Sequence, residues 1–152
     1  MNNSNSDRYI IDTDALVGFY TWQPFEHSRN FWSKLETAIR EGKVVLLDVV
    51  ADEITYESPL KTWVERQKRN GLVTRINDEA REKAVEINNQ YKMIDEETGN
   101  SQTDTYIVAY ASLNNLKVFS REAPRKPGDD LYKIPDVCEE LGIGHTRSPK
   151  YF

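Results

Sequence analysis

The chain has 152 residues, 20 Lys+Arg against 25 Asp+Glu for a formal charge of −5, 38% hydrophobic residues, seven Gly and six Pro. That is room for one ordered domain, and it excludes collagen-like, low-complexity and membrane classes. Cys138 is the single cysteine and no Cys/His cluster suggests zinc, while the polar start and the lack of any membrane-length apolar run lead us to expect a cytoplasmic protein with no membrane partner.

In chain order, residues 1–7 read as a disordered polar tail and 8–152 as a single domain. Arg8 to Ile11 is a short β-type run ending at Asp12, and Val44 to Leu47 is a continuous apolar run of the kind buried on both faces of a parallel sheet. Between them, Phe25 to Glu41 places Phe31, Trp32, Leu35, Ala38 and Ile39 at helical spacing, with Gly42 as C-terminal cap. Tyr20 and Trp22 are expected in a loop near Asp12. Asp48 is placed as the cap of a short helix reaching Glu57, Pro59 permits a new start, and Leu60 to Arg69 continues as a basic helix before Gly71. Asn77 to Tyr91 reads as a helix capped by Asn77.

Ile94 to Gln102 is an exposed loop, Thr103 to about Leu113 a helix, Val118 to Ser120 a strand, Ala123 to Tyr132 a loop with two prolines, and Pro135 to Leu141 a last helix stopped by Gly142. Strands thus alternate with helices, which predicts an α/β three-layer sandwich with a central parallel sheet flanked by helices. Its ligand site is then expected beyond the carboxyl ends of the strands.

Three acids fall at that edge. Asp12 leaves the first strand, Glu53 lies in the helix after the second, and Asp104 starts the helix before the third. Clustered carboxylates repel one another unless a proton or cation neutralises them, and hard cations such as Mg²⁺ or Mn²⁺ take oxygen ligands. Each acid also has a plain role, as a turn residue, a solvated helix position or a helix-dipole acid. Basic residues group in three stretches: Lys61 to Arg75, Lys117 to Lys133, and His145 with Arg147 and Lys150. They suit a phosphate-binding rim or ordinary solvated faces equally. Phe19, Tyr20, Trp22, Phe25, Phe31 and Trp32 suit core packing better than base stacking, and His27, His145 and Cys138 have no partners at catalytic spacing.

The flanking segments add order to these acids. YIIDTDALVGFY (Tyr9 to Tyr20), VLLDVVADEI (Val45 to Ile54), TDTYIVAYA (Thr103 to Ala111), VFSRE (Val118 to Glu122) and KIPDVCEELGI (Lys133 to Ile143) resemble, over nearly the whole chain, the PIN-domain family, whose small members include VapC-type toxins. The resemblance implies a metal-dependent endoribonuclease, with Mg²⁺ or Mn²⁺ held by Asp12, Glu53, Asp104 and Glu122 as catalytic and metal residues. Thr13, Asp14 and Ser120 would support them, and Arg121, Arg125 and Lys126 would hold RNA phosphates. The fourth acid stays open among Glu122, Asp129, Asp130 and Asp136, with Glu122 preferred because it follows a strand end. The resemblance also implies RNA as substrate, an antitoxin protein as partner, and a homodimer.

Two other readings compete. IIDTDAL also resembles the opening of haloacid dehalogenase-like phosphatases, with Asp12 as nucleophile and Asp14 as general acid, which leaves Glu53 and Asp104 without roles. A PIN-like module that binds RNA or protein without catalysis is the third.

Overall fold

The computed structural model describes residues 7–147. Most of the expected N-terminal tail, and Lys150 of the third basic stretch, lie outside the described residues. Four short strands, β1 (Tyr9–Ile11), β2 (Val44–Val45), β3 (Lys117–Phe119) and β4 (His145–Thr146), form one parallel sheet in the order β2-β1-β3-β4. Ile10 pairs with Val45 on one side and Val118 on the other, and Phe119 pairs with Thr146. Seven helices among the described residues flank the sheet, making the expected three-layer α/β sandwich: α1 (Thr13–Trp22), α2 (Arg29–Arg40), α3 (Asp48–Glu53), α4 (Pro59–Arg69), α5 (Asp78–Gln90), α6 (Gln102–Asn114) and α7 (Ile134–Leu141). None of the described helices is long and apolar enough to cross a membrane.

Burial on both faces explains the central strands. Ile10, Leu46, Leu47 and Val118 are all fully enclosed, and each such side chain contributes about 1.5–3 kcal/mol by leaving water. Order in the sheet also fixes where a ligand site belongs. From β1 the chain crosses to β2 on one side, then returns past β1 to β3 on the other. The connections therefore diverge between β1 and β3, and the carboxyl ends of those two strands are the switch point at which this architecture places a ligand site.

Several element boundaries differ from the sequence expectation, each for a local reason. Residues 13–22 are helix rather than loop, because the Asp12 carboxylate accepts the Ala15 N–H at 2.7 Å and caps α1. Tyr20 and Trp22 are thus helical, although Trp22 is 71% exposed. Helix α2 starts at Arg29, four residues later than Phe25, since Pro24 to His27 closes as a turn. Helix α3 ends at Glu53 and not Glu57: Ser58 begins α4 by accepting the Lys61 N–H, and Pro59 occupies its first turn. Asp48 is not an N-cap residue; its carboxylate accepts from Val49 and from Ile76, fastening the segment after α4 to the end of the β2 run. Strand β4 had no sequence signal beyond two residues.

The aromatic residues pack mainly with one another. Phe25 stacks on Trp32 with centroids 4.2 Å apart, Trp32 meets Trp63 edge-on at 5.0 Å, and Phe19 contacts Phe31 and Phe119. The core-packing reading holds for this cluster.

Candidate metal centre

At the carboxyl ends of β1 and β3 the backbone brings the first acid to the third strand. The Asp12 N–H donates to the Phe119 carbonyl at 3.2 Å, so Asp12 hangs beside the residues that leave β3, Ser120 and Glu122. Asp12 and Ser120 are buried polar residues, 2% and 0% exposed. Ser120 hydrogen-bonds the Asp12 carboxylate and accepts the Glu122 N–H at 3.0 Å. Thr13 donates its hydroxyl to Glu53, joining the start of α1 to the end of α3. Asp104 enters from the first turn of α6, where Ser101 supplies a hydrogen bond from a left-handed backbone (φ 74°).

Electrostatics ties these acids together. Burial pushes the Asp104 carboxyl up to about 7, and the negative charges of Glu122, Asp12 and Glu53 push in the same direction against the Ser101 hydrogen bond. Burial likewise raises Asp12 to about 6, opposed by the hydrogen bonds from Ser120 and Ala15 and reinforced by Asp14 and Glu122. Four acids from four places in the chain therefore share one field, and the charged neighbours that act most on Asp12 and Asp104 are themselves carboxylates.

The fold draws together Asp12, Glu53, Asp104 and Glu122, with Thr13 and Ser120 bonded to two of them. Asp14 is exposed on α1 but close enough to act on Asp12. The other candidates for a fourth acid have local tasks or positions: Asp136 accepts from the Arg125 and Lys133 N–H groups at the start of α7, Asp129 accepts from Lys126 in a turn, and Asp130 is an exposed loop residue. Among the cations, Lys126 and Arg121 are exposed, Arg121 lying against α1 at Gly18, and Arg125 is stacked on Tyr132 with Cζ 3.9 Å from the ring centroid. The first basic stretch is largely taken up in ion pairs, Lys61 with Glu57, Arg66 with Glu36, and Lys68 with Asp52 and Glu65. Cys138 is fully buried with its thiol pushed up to about 12 by burial, hence inert.

The donor chemistry suits a hard divalent cation, being carboxylate and hydroxyl oxygen only. As the side chains stand, however, no three acidic, His or Cys groups among the described residues are arranged to hold a metal ion. Asp12 turns to Ala15, Glu53 to Thr13, and Glu122 to the Ile134 N–H at 2.9 Å. Carboxylates splayed onto the nearest donors have this appearance, and buried Asp12 and half-buried Asp104 keep raised pKa values despite the hydrogen bonds from Ala15, Ser120 and Ser101.

Sequence reasoning missed two residues here. Ser101, in the strained turn beside Asp104, carried no signal apart from its place in the GNSQTD run, and Gly18 lay in a segment that was not read as a helix. A separate cavity of about 660 Å³ opens between α2 and α4, floored by Trp32 and Trp63 and rimmed by Arg29, Arg66 and Arg69; none of the four acids lines it.

A family model of a domain of unknown function, DUF4411, matches residues 9–152. The chain belongs to the DUF4411 family. No curated protein matches this DUF4411 chain. Among solved structures, a chain of a toxin–antitoxin complex from Klebsiella pneumoniae is similar to it, with a TM-score of 0.50 at 15% identity over 79% of this chain and 91% of that one. At that identity the likeness is one of fold.

Proposed function

We propose that this DUF4411 chain is a cytoplasmic, metal-dependent endoribonuclease of PIN type that acts as the toxin of a toxin–antitoxin pair. The observation carrying the reading is the pair of carboxylates with raised pKa, buried Asp12 and half-buried Asp104, set in the field of Glu53 and Glu122 at the carboxyl ends of β1 and β3. Such a cluster is costly for a fold to keep, and a divalent cation relieves the cost. A structural neighbour comes from a toxin–antitoxin complex, which supports the biological role.

Asp12, Glu53, Asp104 and Glu122 would hold Mg²⁺ or Mn²⁺. When bound, such an ion lowers the pKa of water and stabilises charge developing at a reacting phosphate. Ser120 keeps the Asp12 carboxylate in place, and Ser101 favours the charged form of Asp104, the form a cation needs. Thr13 holds Glu53 at the edge of the cluster. Arg121 and Lys126 would take flanking phosphates, offsetting the repulsion between RNA and a chain of net charge −5. Arg125, stacked on Tyr132, has less freedom to do so. An antitoxin or a second copy of the chain would be the protein partner.

One observation favours a second reading: Glu53 and Glu122 are turned onto donors of their own chain, as expected of a PIN-like module that binds RNA or protein without cutting. The phosphatase reading draws no such support, since the acids grouped with Asp12 include Glu53 and Asp104, for which that chemistry has no use. Purified protein and Asp12→Asn, incubated with total RNA and separately with a phosphatase substrate, each with Mg²⁺, Mn²⁺ or chelator, separate all three. Metal-dependent RNA fragments that vanish in Asp12→Asn support the nuclease. Phosphate release alone supports the phosphatase, and RNA binding without cleavage supports the binding module.

A further inference from the structure

Gly18 lies in the interior of α1, is buried, and has no positive φ that would call for glycine. A glycine inside a helix is destabilising relative to alanine, so backbone conformation gives no reason for it here. Space does. A methyl group at this position would overlap Nη1 of Arg121 and stand 2.9 Å from its Cδ. The Arg121 side chain therefore lies directly on the helix at the gap that Gly18 leaves. A second glycine, Gly144, sits under Lys117 in the same way, with a methyl 2.7 Å from Cγ. There the charge is spent within the fold, because Lys117 is ion-paired with Asp7 at 3.0 Å. Arg121 has no ion pair with any described residue, is exposed, and stands in sequence between Ser120, which bonds Asp12, and Glu122.

We infer that Gly18 is a positioning residue: it seats the Arg121 guanidinium on α1 at the rim of the carboxylate cluster, where it binds an RNA phosphate next to the one being cleaved. The inference rests on the nuclease reading and deepens it. A seated guanidinium has less freedom to lose on binding than one free in solvent, and its planar fork can engage two phosphate oxygens. The guanidinium itself occupies the space over Gly18, with Nη1 nearest the helix and Cδ beside it, while the residue as a whole remains exposed.

Gly18→Ala is a clean test, because the group it displaces is the end of an exposed side chain and the helix itself gains from alanine. The full chain, Gly18→Ala, Arg121→Ala and the double variant are titrated with a short labelled single-stranded RNA in Ca²⁺ over a range of salt concentrations, with melting curves alongside. We expect Gly18→Ala to melt no lower than the parent yet to bind roughly tenfold more weakly, with the salt dependence reduced by about 0.7, the loss of one phosphate contact to a single strand. Arg121→Ala should do the same, and the double variant should bind no worse than Arg121→Ala alone, since both changes remove one interaction. Unchanged affinity and salt slope in Gly18→Ala, or effects that add in the double variant, overturn the seat. If the parent binds and cleaves RNA while Gly18→Ala matches it, the seat alone falls; if the parent binds no RNA with any divalent cation, the nuclease reading falls and takes the seat with it.

Discussion

Burial and three neighbouring carboxylates act on Asp104 in one direction, and the result is a pH dependence that can be measured. Its pKa rises from 3.8 to about 7 in the fold, and that of Asp12 to about 6. A raised folded-state pKa means that the native state holds its proton more tightly than the unfolded chain does. The associated stability is fully present below about pH 4 and is lost as pH climbs through 6 to 7. In chelator, Asp104→Asn removes the charge but keeps the shape. It should be more stable than the parent at pH 8, by on the order of a few kcal/mol, because each tenfold change in proton affinity is worth about 1.4 kcal/mol, and should match the parent at about pH 3, below both pKa values. An equal difference at both pH values would show that Asp104 is not held against its charge. Asp12 carries a second task, the cap of α1. Asp12→Asn can still cap, so loss of RNA cleavage in that variant should come with an unchanged circular dichroism spectrum, whereas Asp12→Ala should also cost about 1 kcal/mol in denaturant unfolding.

Among the elements, α5 offers the simplest test of local physics. Asn77 accepts the Ala80 N–H at 2.8 Å and ends the preceding coil. Asn77→Ala should destabilise the fold by about 1 kcal/mol in urea unfolding, with metal-dependent cleavage untouched, because α5 contributes no acid to the cluster. This helix was legible in sequence because its cap, its charged first turn and the spacing of Ala80, Ala84 and Ile87 all agree. Helix α2 was legible for the same reason apart from its start. Helix α1 was not: Thr13 to Trp22 is rich in β-branched and aromatic residues and includes Gly18, so propensity argues against a helix that the Asp12 cap and burial of Ala15 and Leu16 impose. Strand β4, two residues long, has no periodicity to read and exists because His145 and Thr146 pair with Val118 and Phe119. The acids themselves were visible as types and positions: Asp12 and Glu122 follow strand ends and Asp104 starts a helix, while Glu53, the last residue of α3, was marked by the segment around it. What the sequence could not carry was their mutual field, the strained turn at Ser101, or the contact of Gly18 with Arg121, all of which depend on segments far apart in the chain.

For the whole molecule, the carboxylate cluster and the net charge of −5 set the terms on which the protein meets a polyanion. On the proposed nuclease reading, RNA approaching the carboxyl ends of β1 and β3 without a cation meets Asp12, Glu53, Asp104 and Glu122, whose repulsion Arg121 and Lys126 would offset only in part. A bound divalent ion changes both sides of this balance, because it removes the internal repulsion and attracts the phosphate. The fold should therefore be stabilised by the same ion that permits RNA binding. At a concentration one hundred times its dissociation constant, a ligand that binds only the native state contributes about 2.7 kcal/mol. For a chain of this size that is a rise in melting temperature of about 5–10 °C. We expect Mn²⁺ or Mg²⁺ to produce such a rise at pH 8, chelator to reverse it, and Asp104→Asn to lose most of it. Acid pH should shrink it as well, since protons and the cation compete for the same oxygens. A melting temperature indifferent to both ions at pH 8 would mean that the four carboxylates do not form a metal site.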